Sequence, residues 1–176
     1  LIGEGVDCVI RAGTLPDSSL IARRLGDMEY VTCASPSYLA RHGLPKAPQD
    51  LETEQHRIAH YFSSLTGRTF TLLFVKGDVQ LEVLGHAPFS VSESTAHLNA
   101  LLAGLGVGQT FRFMARPHLE RGALVEVLSE WSRPSQPLHM LYPSNRHLNA
   151  KLRVFLDWTI ELFRQRSAPL STASIP

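Results

Sequence analysis

The chain has almost no net charge: seventeen Lys and Arg stand against sixteen Asp and Glu, leaving +1. A surface dedicated to nucleic-acid phosphates needs a clear basic excess, so direct DNA binding by these residues is not expected. Cysteine is scarce too. Cys8 and Cys33 each fall inside an apolar, strand-like stretch, which reads as two reduced, buried thiols rather than a disulfide framework. No apolar run approaches the length that crosses a bilayer, and the first residues lack the basic, apolar and small-residue order of a secretory signal. A cytoplasmic protein without a membrane partner is the resulting expectation.

Catalytic signatures are missing as well. There is no G-x-S-x-G nucleophile elbow, no Walker A loop and no H-E-x-x-H helix. The glycine-rich "GLGVGQ" follows a helix-like stretch and lacks dinucleotide spacing, so it reads as a helix stop. His56 and His60 stand four apart, but Ile58, His60 and Phe62 alternate like a strand, which would hold the two imidazoles too far apart for one metal. Glu82, Glu93 and Asp157 sit in unrelated contexts and do not make an acid/base pair. No catalytic residue, metal ligand or cofactor is therefore nominated, and no enzyme is expected.

What is present is an alternation of strand-like and helix-like stretches, in a chain of 176 residues long enough for one domain or two small lobes. Val6 to Ile10 is β-branched and apolar, as for a parallel strand covered on both faces, and Leu1 to Gly5 reads as a helix end before it. "LIARRL" and "MEYVTCAS" flank Gly26 and Asp27, a pair suited to a tight hairpin turn. "SPSYLARHG" reads as a short helix with Ser35 as cap, Pro36 in its first turn and Gly43 as its stop. The proline-punctuated "LPKAPQDL" is the best internal boundary.

Three strand candidates follow, "RIAHYF", "TFTLLFV" and "VQLEVLG", read as a meander that turns at Lys76, Gly77 and Asp78. In "TAHLNALLAGLG", Leu98, Leu101, Leu102 and Leu105 fall on one helical face, and the glycines behind them pass the chain to a strand near "VGQTF". A short helix at "RFMARPHL", strands "ALVEVLS" and "LHMLYP", and a long C-terminal helix complete the order. Leu152, Phe155, Leu156 and Phe163 share the apolar face of that helix, and residues 167–176 read as a disordered tail.

Ligands on α/β sheets sit beyond strand ends and near helix starts. Ser92, Glu93, Ser94 and Thr95 open the leucine-faced helix, where unpaired N–H groups favour an anion; the plainer reading, which the sequence alone favours, is that one serine caps that helix. Gly13 and Thr14 follow the first strand, with a turn at Pro16 and Asp17 that is either a ligand loop or an ordinary surface turn.

In this order, "EGVDCVIRAGTLPDSSLIARRLG", "CASPSYLARHGLPKAPQDL", "LNALLAGLGVG", "LERGALVEVL" and "LHMLYPSNRHLNAKLRVFLDW" resemble the effector-binding domain of LysR-type transcriptional regulators from Leu1 to about Phe163. The resemblance implies an α/β fold of the type 2 periplasmic-binding-protein kind: two α/β lobes joined by two crossover strands, "MEYVTCASP" and "LHMLYPS", with a small-molecule cleft. Residues 1–34 and 138–166 would form lobe I and residues 35–137 lobe II, and lobe I would lack its first strands and helix.

Carried over by position, effector contacts fall on Ser92, Glu93 and Ser94, on Gln109, Thr110 and Phe111, and on Gly13, Thr14 and Leu15. Phe111 stands where relatives often have proline. The implied partners are a small-molecule effector, such as a small organic acid, and further copies of the chain in a homo-oligomer. DNA would be met only through a helix-turn-helix that these residues do not contain. The same fold also serves solute-binding proteins of transport systems, which is the alternative reading, and an enzyme on this scaffold is a third.

Overall fold

The computed structural model describes residues 6–13, 15, 19–64, 66–143 and 150–167, the last four of these without their side chains. In chain order the elements are β1 (Val9–Ala12), β2 (Leu20–Met28), β3 (Tyr30–Ala34), α1 (Pro36–His42), a 3-10 turn (Pro48–Glu52), β4 (His60–Tyr61), β5 (Leu72–Lys76), β6 (Val79–Val83), β7 (Ser90–Val91), α2 (Ser94–Leu102), β8 (Gly108–Phe111), α3 (Arg112–Glu120), β9 (Val125–Glu126), β10 (Gln136–Pro143) and α4 (Ala150–Ser167). The chain divides into two units, Leu1–Met28 with Gln136–Pro176 and Glu29–Ser135. The strand at Tyr30–Ala34, expected with the first lobe, therefore belongs to the second unit, and "LPKAPQDL" lies inside that unit rather than at a boundary.

The first unit is a three-stranded antiparallel sheet, order β1-β10-β2, covered on one face by α4. Leu25, Leu138, Met140, Tyr142 and Leu156 form its buried cluster. Four expectations are corrected here. β1 is an antiparallel edge strand with Ile10 45% exposed, not a parallel strand covered on both faces. β2 runs straight through Gly26 and Asp27, so the hairpin turn does not form. Leu138 pairs with Gly26 but His139 with Arg24, so Leu25 is an extra residue in β2. The glycine marks a β-bulge. On α4, Leu156 is buried as expected, but Phe155 turns outward beside Trp158. Cys8 is half-buried rather than interior. The expected helix end at 1–5, the turn at Pro16 and Asp17, and the tail at 168–176 lie outside the described residues, although α4 itself reaches Ser167.

The second unit holds two buried clusters. One gathers Tyr38, Leu51, Ile58, Phe74 and Val107, the other Val31, Cys33, Leu98, Leu101 and Leu124. Its α1 forms as its sequence dictates. Ser35 Oγ accepts from the Tyr38 N–H at 3.3 Å, Pro36 needs no donor in the first turn, and Gly43, at φ 82°, donates its N–H to Leu39 O at 2.8 Å. That cap aims Tyr38 inward, where its hydroxyl accepts from the Arg57 N–H at 2.8 Å.

Central in this unit is the antiparallel sheet β8-β3-β9. The meander is corrected: β5 and β6 form a hairpin through Gly77 and Asp78, whereas β4 pairs in parallel with β7. Ile58 bridges in parallel to Val107, an approach so close that a Cβ on Gly106 would lie 2.8 Å from Ala59 N and Arg57 O. α2 buries Leu98 and Leu101 and half-buries Leu102, as its spacing indicates, but Leu105 falls past its end and is 48% exposed. The strand expected over "ALVEVLS" shrinks to Val125–Glu126.

Candidate functional site

The start of α2 is already filled by the chain's own anion. Glu93 is the cap residue, and its carboxylate accepts from the Thr95 N–H at 2.9 Å and the Ala96 N–H at 2.7 Å. Those two backbone N–H groups hold its pKa below the usual carboxylate value. The helix field that would attract an external anion is thus satisfied internally, by the glutamate rather than by either serine. Ser92 and Ser94 are half-buried beside it, and neither hydroxyl has a partner among the described residues.

Gln109 is used up in a different way. Its Oε1 accepts from Leu73 N at 3.0 Å and from Arg133 Nη1 at 2.9 Å; its Nε2 donates to Leu73 O at 2.9 Å and to Thr32 Oγ1 at 3.2 Å. A primary amide has two donors and one oxygen with two lone pairs, and all are engaged. The side chain pairs with Leu73 much as a neighbouring strand would, which ties β8 to β5. Thr110 is buried opposite Val31 in the β3–β8 pair. The ring of Phe111 lies 4.7 Å from that of Tyr30 and 6.0 Å from that of Phe113. In the first unit, Gly13 adopts φ 98° and donates its N–H to Pro137 O at 2.9 Å, Leu15 is half-buried, and Thr14 lies outside the described residues. Ser92–Ser94 and Gln109–Phe111 thus share the second unit, while Gly13 and Leu15 belong to the first.

What the sequence did not reveal is a cavity of about 220 Å³ within the second unit, walled by Tyr30, Thr32, Arg112, Glu126, Trp131 and Arg133 among others. Its two guanidinium groups differ. Arg112 forks onto Glu126 at 2.8 and 3.1 Å, with Glu29 at 3.8 Å, so its charge is answered twice. Arg133 is partly buried, donates to the neutral Gln109 oxygen and stacks 4.4 Å from the centre of the Tyr30 ring. No carboxylate pairs with it among the described residues. Burial draws its pKa below the ordinary arginine value, and burial likewise pushes the Tyr30 hydroxyl up, against the pull of Arg133. Phe111 reaches the cavity only through Tyr30.

The segment that presents Arg133 is firmly held. Ser132 and Val75 exchange two backbone hydrogen bonds of 2.8 and 2.9 Å, and Lys76 pairs with Glu130. Leu128, at the head of the segment, has φ 53°, a left-handed conformation that costs a bulky residue about 1–3 kcal/mol. Its carbonyl accepts from the Trp131 N–H at 2.9 Å, which closes the turn. Arg133 sits in "WSRPSQP", where no periodicity marks it, and its neighbours at Tyr30 and Gln109 are far away in sequence.

Chemically this arrangement can hold and orient a small polar molecule. The buried Cys33 lies nearby in β3, but burial pushes its thiol up to about 12, which leaves it unreactive at neutral pH. Among the described residues no cluster of His, Cys, Asp and Glu is suited to a metal ion, and no helix is long and apolar enough to cross a membrane.

Residues 1–164 match the family model for the LysR substrate binding domain. An HTH-type transcriptional repressor of Pseudomonas aeruginosa strain UCBPP-PA14 is 35% identical over 94% of this chain and 51% of its own length. The HTH-type transcriptional regulator YhjC of Escherichia coli K12 is 37% identical, over 94% and 54%. Among solved structures, the regulatory domain of CrgA, a LysR-type transcriptional regulator from Neisseria meningitidis, superposes with a TM-score of 0.79 at 30% identity, covering 90% of this chain and 76% of that one. The chain spans about half the length of the curated relatives it matches.

Proposed function

Since the chain belongs to the LysR substrate binding domain family, with its periplasmic-binding-protein-like α/β fold, we propose that it is the ligand-sensing part of a LysR-type transcription factor. In this reading a small molecule binds the domain and favours one of its conformations, and the differential affinity, not catalysis, is the output. DNA contact belongs to a helix-turn-helix region of the longer protein, as the names and lengths of the relatives suggest, and the working form is a cytoplasmic homo-oligomer. The transport alternative finds no counterpart among these relatives, which are transcriptional regulators.

The observation that carries the reading is the polar-walled cavity beside Tyr30 and Arg133, set in a unit whose other charged groups have internal partners or face solvent. We place the main effector contact there. The start of α2 is the weaker place for an anion, because Glu93 occupies it, although the hydroxyls of Ser92 and Ser94 remain available to a neutral group. A thermal-shift screen of this chain against small organic acids, amino acids and sugars tests the reading. At least one class is expected to raise the melting temperature saturably. A flat response to all of them contradicts a sensor.

A further inference from the structure

We propose that Arg133 is the anchor for a small monoanionic carboxylate, whose carboxylate group enters the cavity and completes the charge pairing the protein leaves open. The inference rests on the ligand-sensing reading and names the chemistry of its ligand. Four observations converge on it.

The first is a charge left unanswered. Glu29 and Glu126 both attend Arg112, whereas Arg133 has only a neutral amide oxygen and an aromatic ring. A partly buried guanidinium in that state is held at the expense of stability, and a bound carboxylate supplies the bidentate partner its fork is shaped for.

The second is the sign and size of that opening. One unanswered positive charge suits one negative charge. A phosphate, which carries more than one negative charge at neutral pH, would bring the excess against the carboxylates of Glu29 and Glu126 in the same wall. The volume, about 220 Å³, lies below the usual range of drug-sized pockets, so the ligand has few atoms.

The third is the remaining wall. Thr32 Oγ1 accepts from Gln109, which leaves its own proton free to donate, and the hydroxyl-bearing Ser129 and Ser135 lie in the same wall as Trp131. This suits a short acid with a hydroxyl near the carboxylate. The fourth is the strained Leu128, which, with the Ser132–Val75 pairing, fixes the path of the segment that delivers Arg133.

The probes are lactate, propionate, propionamide and inorganic phosphate, titrated by calorimetry into this chain, its Arg133→Met variant and its Arg133→Lys variant, with the melting temperature of each unliganded protein recorded. Lactate is expected to bind the parent chain, with phosphate and propionamide at least about tenfold weaker. Arg133→Met is expected to lose roughly ten- to a hundredfold in lactate affinity, with Arg133→Lys between the two. Unliganded Arg133→Met is expected to melt no lower than the parent chain, because it removes an unpaired buried charge.

A structural arginine gives the reverse: Arg133→Met melts several degrees lower, and lactate affinity, if any, is unchanged. That result overturns the proposal. Binding of propionamide or other neutral probes equally well to both proteins overturns the anchor but leaves the sensor standing. Failure of every probe here, together with a flat screen of the wider panel, removes both.

Discussion

The two units of this chain solve the burial problem to different degrees. Unit two, Glu29–Ser135, closes on two clusters and ties its strands together through Gln109, Tyr38 and the Ser132–Val75 bridge. Among the described residues, unit one has a single cluster beneath one helix. It exposes Ile10, Ile21, Val154 and Trp158, and leaves His139 Nδ1 buried without a partner among the described residues. Buried apolar area is the main stabilising term, so the second unit should be the more stable one and the first should open at lower free energy. The contrast also explains where such a cavity can exist. Only a well-tied frame can hold an unpaired guanidinium and a left-handed leucine without collapsing around them.

The two tryptophans make the contrast measurable, since Trp131 lies in the second unit and Trp158 in the first. With each tryptophan replaced in turn by phenylalanine, fluorescence reports one unit at a time in denaturant. The largest effect is expected from Phe74→Ala, which empties the core of the second unit and should lower the Trp131 transition by roughly 3–5 kcal/mol while leaving the Trp158 transition in place. If both transitions move together, the units unfold as one and the contrast fails.

Gln109→Leu comes next. It strips the Leu73 N–H and C=O of their partner and should cost the second unit roughly 2–4 kcal/mol, read as the same transition. Ser35→Ala removes the α1 cap and should cost about 1 kcal/mol. The smallest effect is a slope with pH. Burial pulls the His97 pKa below 6.5, against the hydrogen bond to Ala59 O, and burial does the same to His56. Below pH 6.5 the unfolded chain takes up protons that these folded imidazoles resist. Stability of the second unit is therefore full above that value and declines as pH falls through it. His97→Gln should flatten the slope of the Trp131 midpoint; an unchanged slope would remove His97 from the account.

Local chemistry in the sequence was enough for elements whose rules are local. The Ser35, Pro36 and Gly43 signals placed α1 correctly, and the leucine spacing identified the buried face of α2 through Leu102. It misled where a local signal has two structural uses. Gly26 and Asp27 suit a hairpin turn, yet the glycine serves a bulge, because β2 pairs with β10, more than a hundred residues away. The same limit hid the cavity. Thr32, Gln109 and Arg133 are ordinary residues in ordinary contexts until pairing of β3 with β8, and of Ser132 with Val75, brings them together. Glu93 shows the opposite case. Its position was read correctly as a helix start, but which of three adjacent side chains would turn back onto the N–H groups depended on rotamer geometry that spacing does not encode.

The most direct test of the account is an amide and arginine side-chain NMR titration of this chain with lactate. The largest shifts are expected at Arg133, Thr32, Gln109 and Tyr30, with the Arg133 guanidinium slowed in exchange. Shifts centred instead on Ser92, Glu93 and Ser94, with Arg133 unmoved, would contradict it.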